Sequence, residues 1–299
     1  MMRISTQVLF ESGAASLGDL QTSLLKTQQQ IAAGRRILTP ADDPVASARA
    51  LEVTQSQSVN TQYGLNRQTA TASLTQVEGS LSGVTSLLQD VKIAVVAAGN
   101  TTLSDTERGF LATELQGRLD ELLGLANTRD AQGNYMFSGY QSNTKAFVQT
   151  ATGAQYQGDQ GIQLLQVDSS RQMAVGNSGQ TVFQGGGQDM FKTLTDLINL
   201  FQTPGAPVPA TLATLSGNVD LALSNVLTVR ASVGSRLQEL DALNTSGSDR
   251  DLQYTQTLSG LQDLDYTKAI TQLSQKQLTL EAAQQSFVKV SQLSLFNFL

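Results

Sequence analysis

The chain has no cysteine, no histidine and no tryptophan. Without cysteine there is no disulfide and no thiol chemistry. Without histidine the usual general base, the commonest transition-metal ligand and every His-based triad are missing. Charged residues make up 15% of the 299 positions and aromatic residues 5%, while Gln, Ser, Thr and Asn are abundant. That composition suits long, modestly packed helices better than a dense enzyme core. A net charge of -6 argues against general nucleic-acid binding. No continuous run of 18 apolar residues is present, so no membrane insertion is expected. Arg3 is not followed by an unbroken apolar stretch, so no Sec-type signal peptide is expected, and composition by itself places the chain in the cytoplasm.

Catalytic motifs are missing too. The acidic clusters Asp42/Asp43, Glu239/Asp241, Asp249/Asp251 and Asp263/Asp265 are short and solvent-like. Asp249-x-Asp251 is too sparse for a calcium loop, and Gly185-Gly186-Gly187 lacks the Lys-Ser/Thr of a phosphate loop. No catalytic residue, cofactor or metal site is assigned, and the chain is not expected to be an enzyme.

What the sequence does have is period. In the stretch from Tyr266 to Leu299, Tyr266, Ala269, Leu273, Lys276, Leu280, Ala283, Phe287 and Val290 follow a 3-4 spacing. That is a coiled-coil seam. It runs into apolar Leu295, Phe296, Phe298 and Leu299. A weaker seam opens the chain: Phe10, Leu17, Leu24, Ile31 and Leu38 recur at strict sevens, with Leu20 beside them, but Gly13 and Thr27 fall where apolar residues belong. Each end carries a net charge of about +2 and the middle about -10. Two matched seams at opposite ends are expected to pair with each other and with further copies. In a dilute single chain, residues 1–40 and 260–299 are then expected to be open to protease.

Between the ends lie bundle helices. Gly34 and Pro40 break the first helix, and Asp43-Pro44 reads as a cap and first helical residue. From Tyr63 through Ala70, Leu74, Val77, Leu81, Val84, Leu88, Val91 and Val95 to Ala98 the heptad is sustained, and Gly99-Asn100 reads as its stop. Ser104-x-x-Glu107 is a capping box for a helix carrying Leu111, Leu115, Leu119, Leu122 and Ala126. Gly-rich, alternating sequence then predicts a small β insert over 132–188. Its strands are read at 162–164 and 173–175, with turns at Gly158-Asp159 and Asn177-Ser178-Gly179. Helix resumes near Asp189 and, after 203–210, carries Leu212 to Leu243. NTSGSDRD (244–251) reads as an interruption before the last helix. The expected fold is mainly α: an elongated helical bundle and coiled coil from both chain ends, with the β-rich insert at its tip. The expected domains are 1–43 with 259–299, 44–131 with 189–258, and 132–188. From the residues themselves the function class is structural or assembly.

Three stretches resemble the flagellin family: GRRILTPADDPVASARAL (34–51), RASVGSRLQEL (230–240) and the last helix from DLDYTKAI onward. MRIST (2–6), NYMFSGYQSNTKAF (134–147) and the ending LSLFNFL are similar to the hook–filament junction branch of that family. The resemblance implies a closed ring of about eleven copies between the first hook-associated junction protein and flagellin. It implies terminal helices in an inner coiled-coil layer, the bundle outside it and the β domain at the surface. It also implies export by the flagellar type III apparatus, after a cytoplasmic chaperone has bound the C-terminal region. On that reading the protein is extracellular, not cytoplasmic. Two other readings stand beside it: a flagellin-type filament subunit that polymerises by itself, and a cytoplasmic coiled-coil scaffold.

Overall fold

The computed structural model describes residues 2–99, 103–204 and 209–296. In chain order the elements are α1 (Met2–Ala33), α2 (Pro44–Ala98), α3 (Asp105–Ala126), β1 (Phe147–Thr150), β2 (Gly153–Tyr156), β3 (Leu164–Asp168), β4 (Arg171–Ala174), α4 (Gly179–Phe183), α5 (Met190–Gln202), α6 (Pro209–Gln262) and α7 (Tyr266–Phe296). They form two compact units, Met1–Val59 with Asp249–Leu299, and Asn60–Ser248. Helices α2 and α6 each contribute to both.

The helix starts follow from local chemistry. Ala46 N–H donates to Asp43 Oδ1 at 3.0 Å, and Pro44 takes the first position of α2. At α3 the Glu107 N–H donates to Ser104 Oγ at 3.3 Å, and the Ser104 N–H donates to the Glu107 carboxylate at 2.8 Å. Asp189 caps α5 by accepting the Lys192 N–H at 3.0 Å. Helix α2 stops where Gly99 donates to the Val95 and Val96 carbonyls.

The unit formed by Asn60–Ser248 carries the main core. The α2 heptad from Ala70 to Ala98 is buried together with Leu115, Leu119 and Leu122 of α3, Leu194 and Leu197 of α5, and Val219, Val226, Val233 and Leu240 of α6. Each fully buried Leu or Val contributes about 1.5–3 kcal/mol. Polar ties run along the same faces: Arg230 pairs with Glu78 at 2.6 Å and donates to Thr85 Oγ1 at 3.2 Å. Part of α2 is long and apolar enough, by length and composition, to cross a membrane, with a mean hydropathy of 1.4. Half of that window is buried inside the protein, where its heptad residues are the core.

The β region differs in detail from the sequence reading. The second hairpin runs over 164–168 and 171–174, so Ile162 and Gln163 fall outside it. It turns at Ser169-Ser170, with a register shift between Gln166 and Asp168. A further antiparallel hairpin, β1–β2, pairs Phe147 with Tyr156 and Thr150 with Gly153. Gly153 makes it feasible: its φ is 138°, and a Cβ there would stand 2.9 Å from the Lys192 nitrogen. Asn177-Ser178-Gly179 is not a free turn but leads into α4, with Ser178 as the N-cap. An aromatic cluster underlies these pieces. Phe147 lies 4.8 Å from Phe191, 5.1 Å from Tyr156 and 5.3 Å from Phe183, centroid to centroid. The NYMFSGYQSNTKAF stretch wraps this cluster. Gly139 has φ 72°, and the Asp159 carboxylate occupies the space a Cβ would need.

One helix boundary is also corrected. Residues 244–251 do not interrupt α6, which continues to Gln262. The polar residues there are satisfied from α2 instead of by a loop. Arg67, buried, donates to Asn244 Oδ1 at 2.7 Å and to the Val167 carbonyl at 3.0 Å, and Asn60 Nδ2 donates to the Gly247 carbonyl at 2.8 Å. The break falls at 263–265.

Candidate assembly interface

Within the unit of Met1–Val59 and Asp249–Leu299, α1 and α7 pack along each other. They run antiparallel: Gly34 meets Tyr266, Thr27 meets Lys276, and Gly13 meets Phe287. Gly34 ends α1 at φ 66°, and its carbonyl accepts the Leu264 N–H at 3.1 Å. The Arg36 N–H donates to the Gln262 carbonyl at 2.8 Å, and Arg35 forms a β-bridge with Asp263. These bonds stitch the end of α1 to the break between α6 and α7. Asp265 then caps α7 by accepting the Lys268 N–H at 3.1 Å.

The turn between α1 and α2 is held by carboxylates. Asp42 pairs with Lys26 at 2.6 Å and accepts the Leu38 and Thr39 N–H groups at 2.9 Å. The Lys26 bond first, then the two backbone donors, hold its carboxyl well below the usual carboxylate range. Asp43 is also lowered, by the Ala46 N–H and then by Arg36. Among the described residues no group of three or more acidic side chains converges as a metal site would require.

Along the seam, α7 turns Ala269, Leu273, Lys276, Leu280, Ala283 and Phe287 toward α1, and Ala269 is fully buried. Tyr266 and Val290 stand at its ends, about half exposed. On α1, Leu17, Leu20, Leu24 and Ile31 are half-buried and Phe10 is exposed, its ring 4.8 Å from that of Phe287. Leu38 is not on this helix. It lies beyond Ala33, in the turn before α2, lining a shallow groove with Ile37, Pro40 and Leu51. The side chains of Leu295 and Phe296, and all of Phe298 and Leu299, lie outside the described residues.

Two seam members were not legible as such. Gly13 is a recess: a Cβ there would stand 2.9 Å from two Phe287 ring carbons. Thr27 is 2% exposed and accepts the Lys276 ammonium at 2.8 Å. The only signal was their spacing, since each stands seven residues from Leu20 and so fills the second position of the heptad. The outer faces stay apolar in places: Leu25, Ile270, Leu278 and Val288 are each more than half exposed. A pair this thinly buried has apolar surface left to cover.

Comparison with known proteins gives this geometry its setting. Residues 4–142 match the family model described as the bacterial flagellin N-terminal helical region. Flagellar hook-associated protein 3 of Escherichia coli strain K12 is 36% identical over 315 aligned residues, covering 99% of each chain. The chain belongs to the flagellar hook-associated protein 3 family. The protein of that name from Salmonella typhimurium is also 36% identical, again over 99% of both chains. As a member of this family the chain has a structural role in the bacterial flagellum. Its fold is shared with a solved putative flagellar hook-associated protein from Vibrio parahaemolyticus. That match has a TM-score of 0.70 at 24% identity and covers 74% of this chain and 100% of the other.

Proposed function

We propose that this chain forms the junction ring between hook and filament, packing against itself, the first hook-associated junction protein and flagellin. The terminal helices 1–43 and 259–299 are the layer through which copies pack. The bundle of 44–131 with 189–258 lies outside them, and 132–188 is the surface part. The ring holds about eleven copies in closed symmetry. Before assembly the chain is bound near its C-terminus by a cytoplasmic chaperone and passes through the flagellar type III apparatus, so it works outside the cell. One observation carries the reading: the α1–α7 pair buries a single seam and leaves Leu25, Ile270, Leu278 and Val288 exposed, so further helices are needed to cover it.

The test is to express tagged parent chain, Leu273→Asp and Phe287→Asp in cells, and to image the flagella and assay the culture medium. Parent chain should appear as one band between hook and filament. Both variants should be secreted with normal circular dichroism for Asn60–Ser248 yet be missing from flagella. Normal incorporation of both would sink the interface. Self-polymerisation of the purified parent into filaments would favour a flagellin-type subunit, and retention inside the cell would favour a cytoplasmic scaffold.

A further inference from the structure

The α1–α7 seam holds an ammonium group. Lys276 sits at a seam position of α7, and its Nζ donates to Thr27 Oγ1 at 2.8 Å and to the Ser23 carbonyl at 3.3 Å. The Thr27 hydroxyl donates its own proton to the Ser23 carbonyl at 3.0 Å, one turn back. Its oxygen is thereby oriented to accept from Lys276. Both acceptors are neutral, and among the described residues no carboxylate pairs with Lys276. These two bonds tie the body of α7 to the body of α1, away from the stitch at 34–36.

We infer that Lys276 and Thr27 form a partner-selecting key, which makes the seam of α7 pair with α1 and not with the α7 of a second copy. The reason lies in what else could face Lys276. The other seam positions of α7 between its two end members, Tyr266 and Val290, are all apolar: Ala269, Leu273, Leu280, Ala283 and Phe287. An α7–α7 pair, parallel or antiparallel, in a register that does not bring Tyr266 opposite Lys276 therefore sets the ammonium against hydrocarbon or against the other copy's own Lys276. A cation desolvated without an acceptor strongly disfavours such a pairing. On α1, Thr27 is the one seam position with a hydroxyl, the others being Gly13, Leu17, Leu20, Leu24 and Ile31. Slipping α1 by a heptad would put Lys276 opposite Leu20, or opposite Gly34 beyond the end of the helix. A single buried polar residue in an otherwise apolar coiled-coil seam lowers stability but specifies partner and register. Such selection matters in a chain whose two ends carry similar apolar periods and similar positive charge. Without it, the stronger seam would be free to pair with its own copies.

The test uses the purified full-length chain, whose lack of cysteine makes introduced thiols unambiguous. Light scattering over a concentration series reads self-association, and the disulfide yield of Leu20→Cys with Ala283→Cys reads the α1–α7 pair. Lys276→Met should lower the dimer dissociation constant by at least about ten-fold, because the seam ammonium no longer opposes α7–α7 contact. Forming the 20–283 disulfide in the Lys276→Met background should abolish that dimer, since α7 is then held on α1. Thr27→Val should cut the 20–283 yield by at least about three-fold by stranding the ammonium, and Thr27→Val with Lys276→Met should restore it. A Lys276→Met chain that associates no more than the parent would overturn the inference, as would a dimer that persists with α1 and α7 covalently joined. The inference goes beyond the junction reading. The test needs no flagellum, so failure of the parent to enter flagella would leave this result standing.

Discussion

The Phe287 ring packs on the bare Cα of Gly13, at a place where a Cβ would come within 2.9 Å of two ring carbons. Glycine within a helix ordinarily costs about 0.5–1 kcal/mol relative to alanine. Here it gives a seat to the aromatic ring of the α7 seam that faces the middle of α1, and Phe10 closes over the ring from one side. Gly13→Ala should therefore gain little or nothing in spite of better helix propensity. Gly13→Leu should open the distal half of the pair. Hydrogen exchange over residues 8–20 and 280–291 would read this as lost protection, with the stretch near Gly34 unchanged.

Gly247 poses the same question inside α6. A Cβ there would run into the Arg67 guanidinium, which holds Asn244 and the Val167 carbonyl. Gly247→Ala should lower stability by about 1–2 kcal/mol, the displaced hydrogen bonds outweighing the propensity gain. Arg67→Met in the same chain should make the Gly247→Ala change neutral or favourable. Denaturant unfolding of the four chains of this cycle gives the coupling directly.

Acid should loosen the turn between α1 and α2. Asp42 and Asp43 both titrate below the ordinary carboxylate range in the fold, so protons bind the unfolded chain more readily. Their contribution is fully present above the unfolded value of about 3.9 and is lost as pH falls through the folded values. Exchange protection of residues 34–50 should hold from neutral pH down to about 4 and then decline. Asp42→Asn should be less protected at neutral pH and should show a shallower decline. An unaltered profile in that variant would remove Asp42 from the account.

The β region should be unusually sensitive at one ring. Phe147 is fully buried and contacts Phe183, Phe191 and Tyr156. Phe147→Ala should cost about 3–5 kcal/mol and Val148→Ala, on the exposed side of the same strand, less than about 0.5 kcal/mol. Thermal unfolding of Asn60–Ser248 in the full chain separates the two. Equal melting of both variants would mean that the cluster is not what holds β1 in place.

Much of this fold is legible in the sequence. The α2 heptad, the Asp43-Pro44 start, the Ser104–Glu107 box and the α7 seam depend on residues within a few positions of one another. Period and cap chemistry are local, so sequence carries them. Sequence and structure part where distant residues decide. NTSGSDRD has the composition of a loop, yet Arg67 and Asn60 of α2 supply the hydrogen bonds that let α6 pass through it. The β1–β2 hairpin is short, its second strand GAQY has little strand propensity, and it forms where Phe147 can bury against α5 and α4.

The sequence by itself determined that this is a helical chain with apolar seams at both ends, because those features repeat at fixed short intervals. Only the tertiary structure decided which face each seam uses and what its irregular positions do. Gly13 and Thr27 look like defects in a heptad read along one strand of chain. They become a seat and an acceptor once Phe287 and Lys276 arrive, the latter from 249 positions away. A side chain's role in a seam is set by the group opposite it, and the fold alone chooses that group.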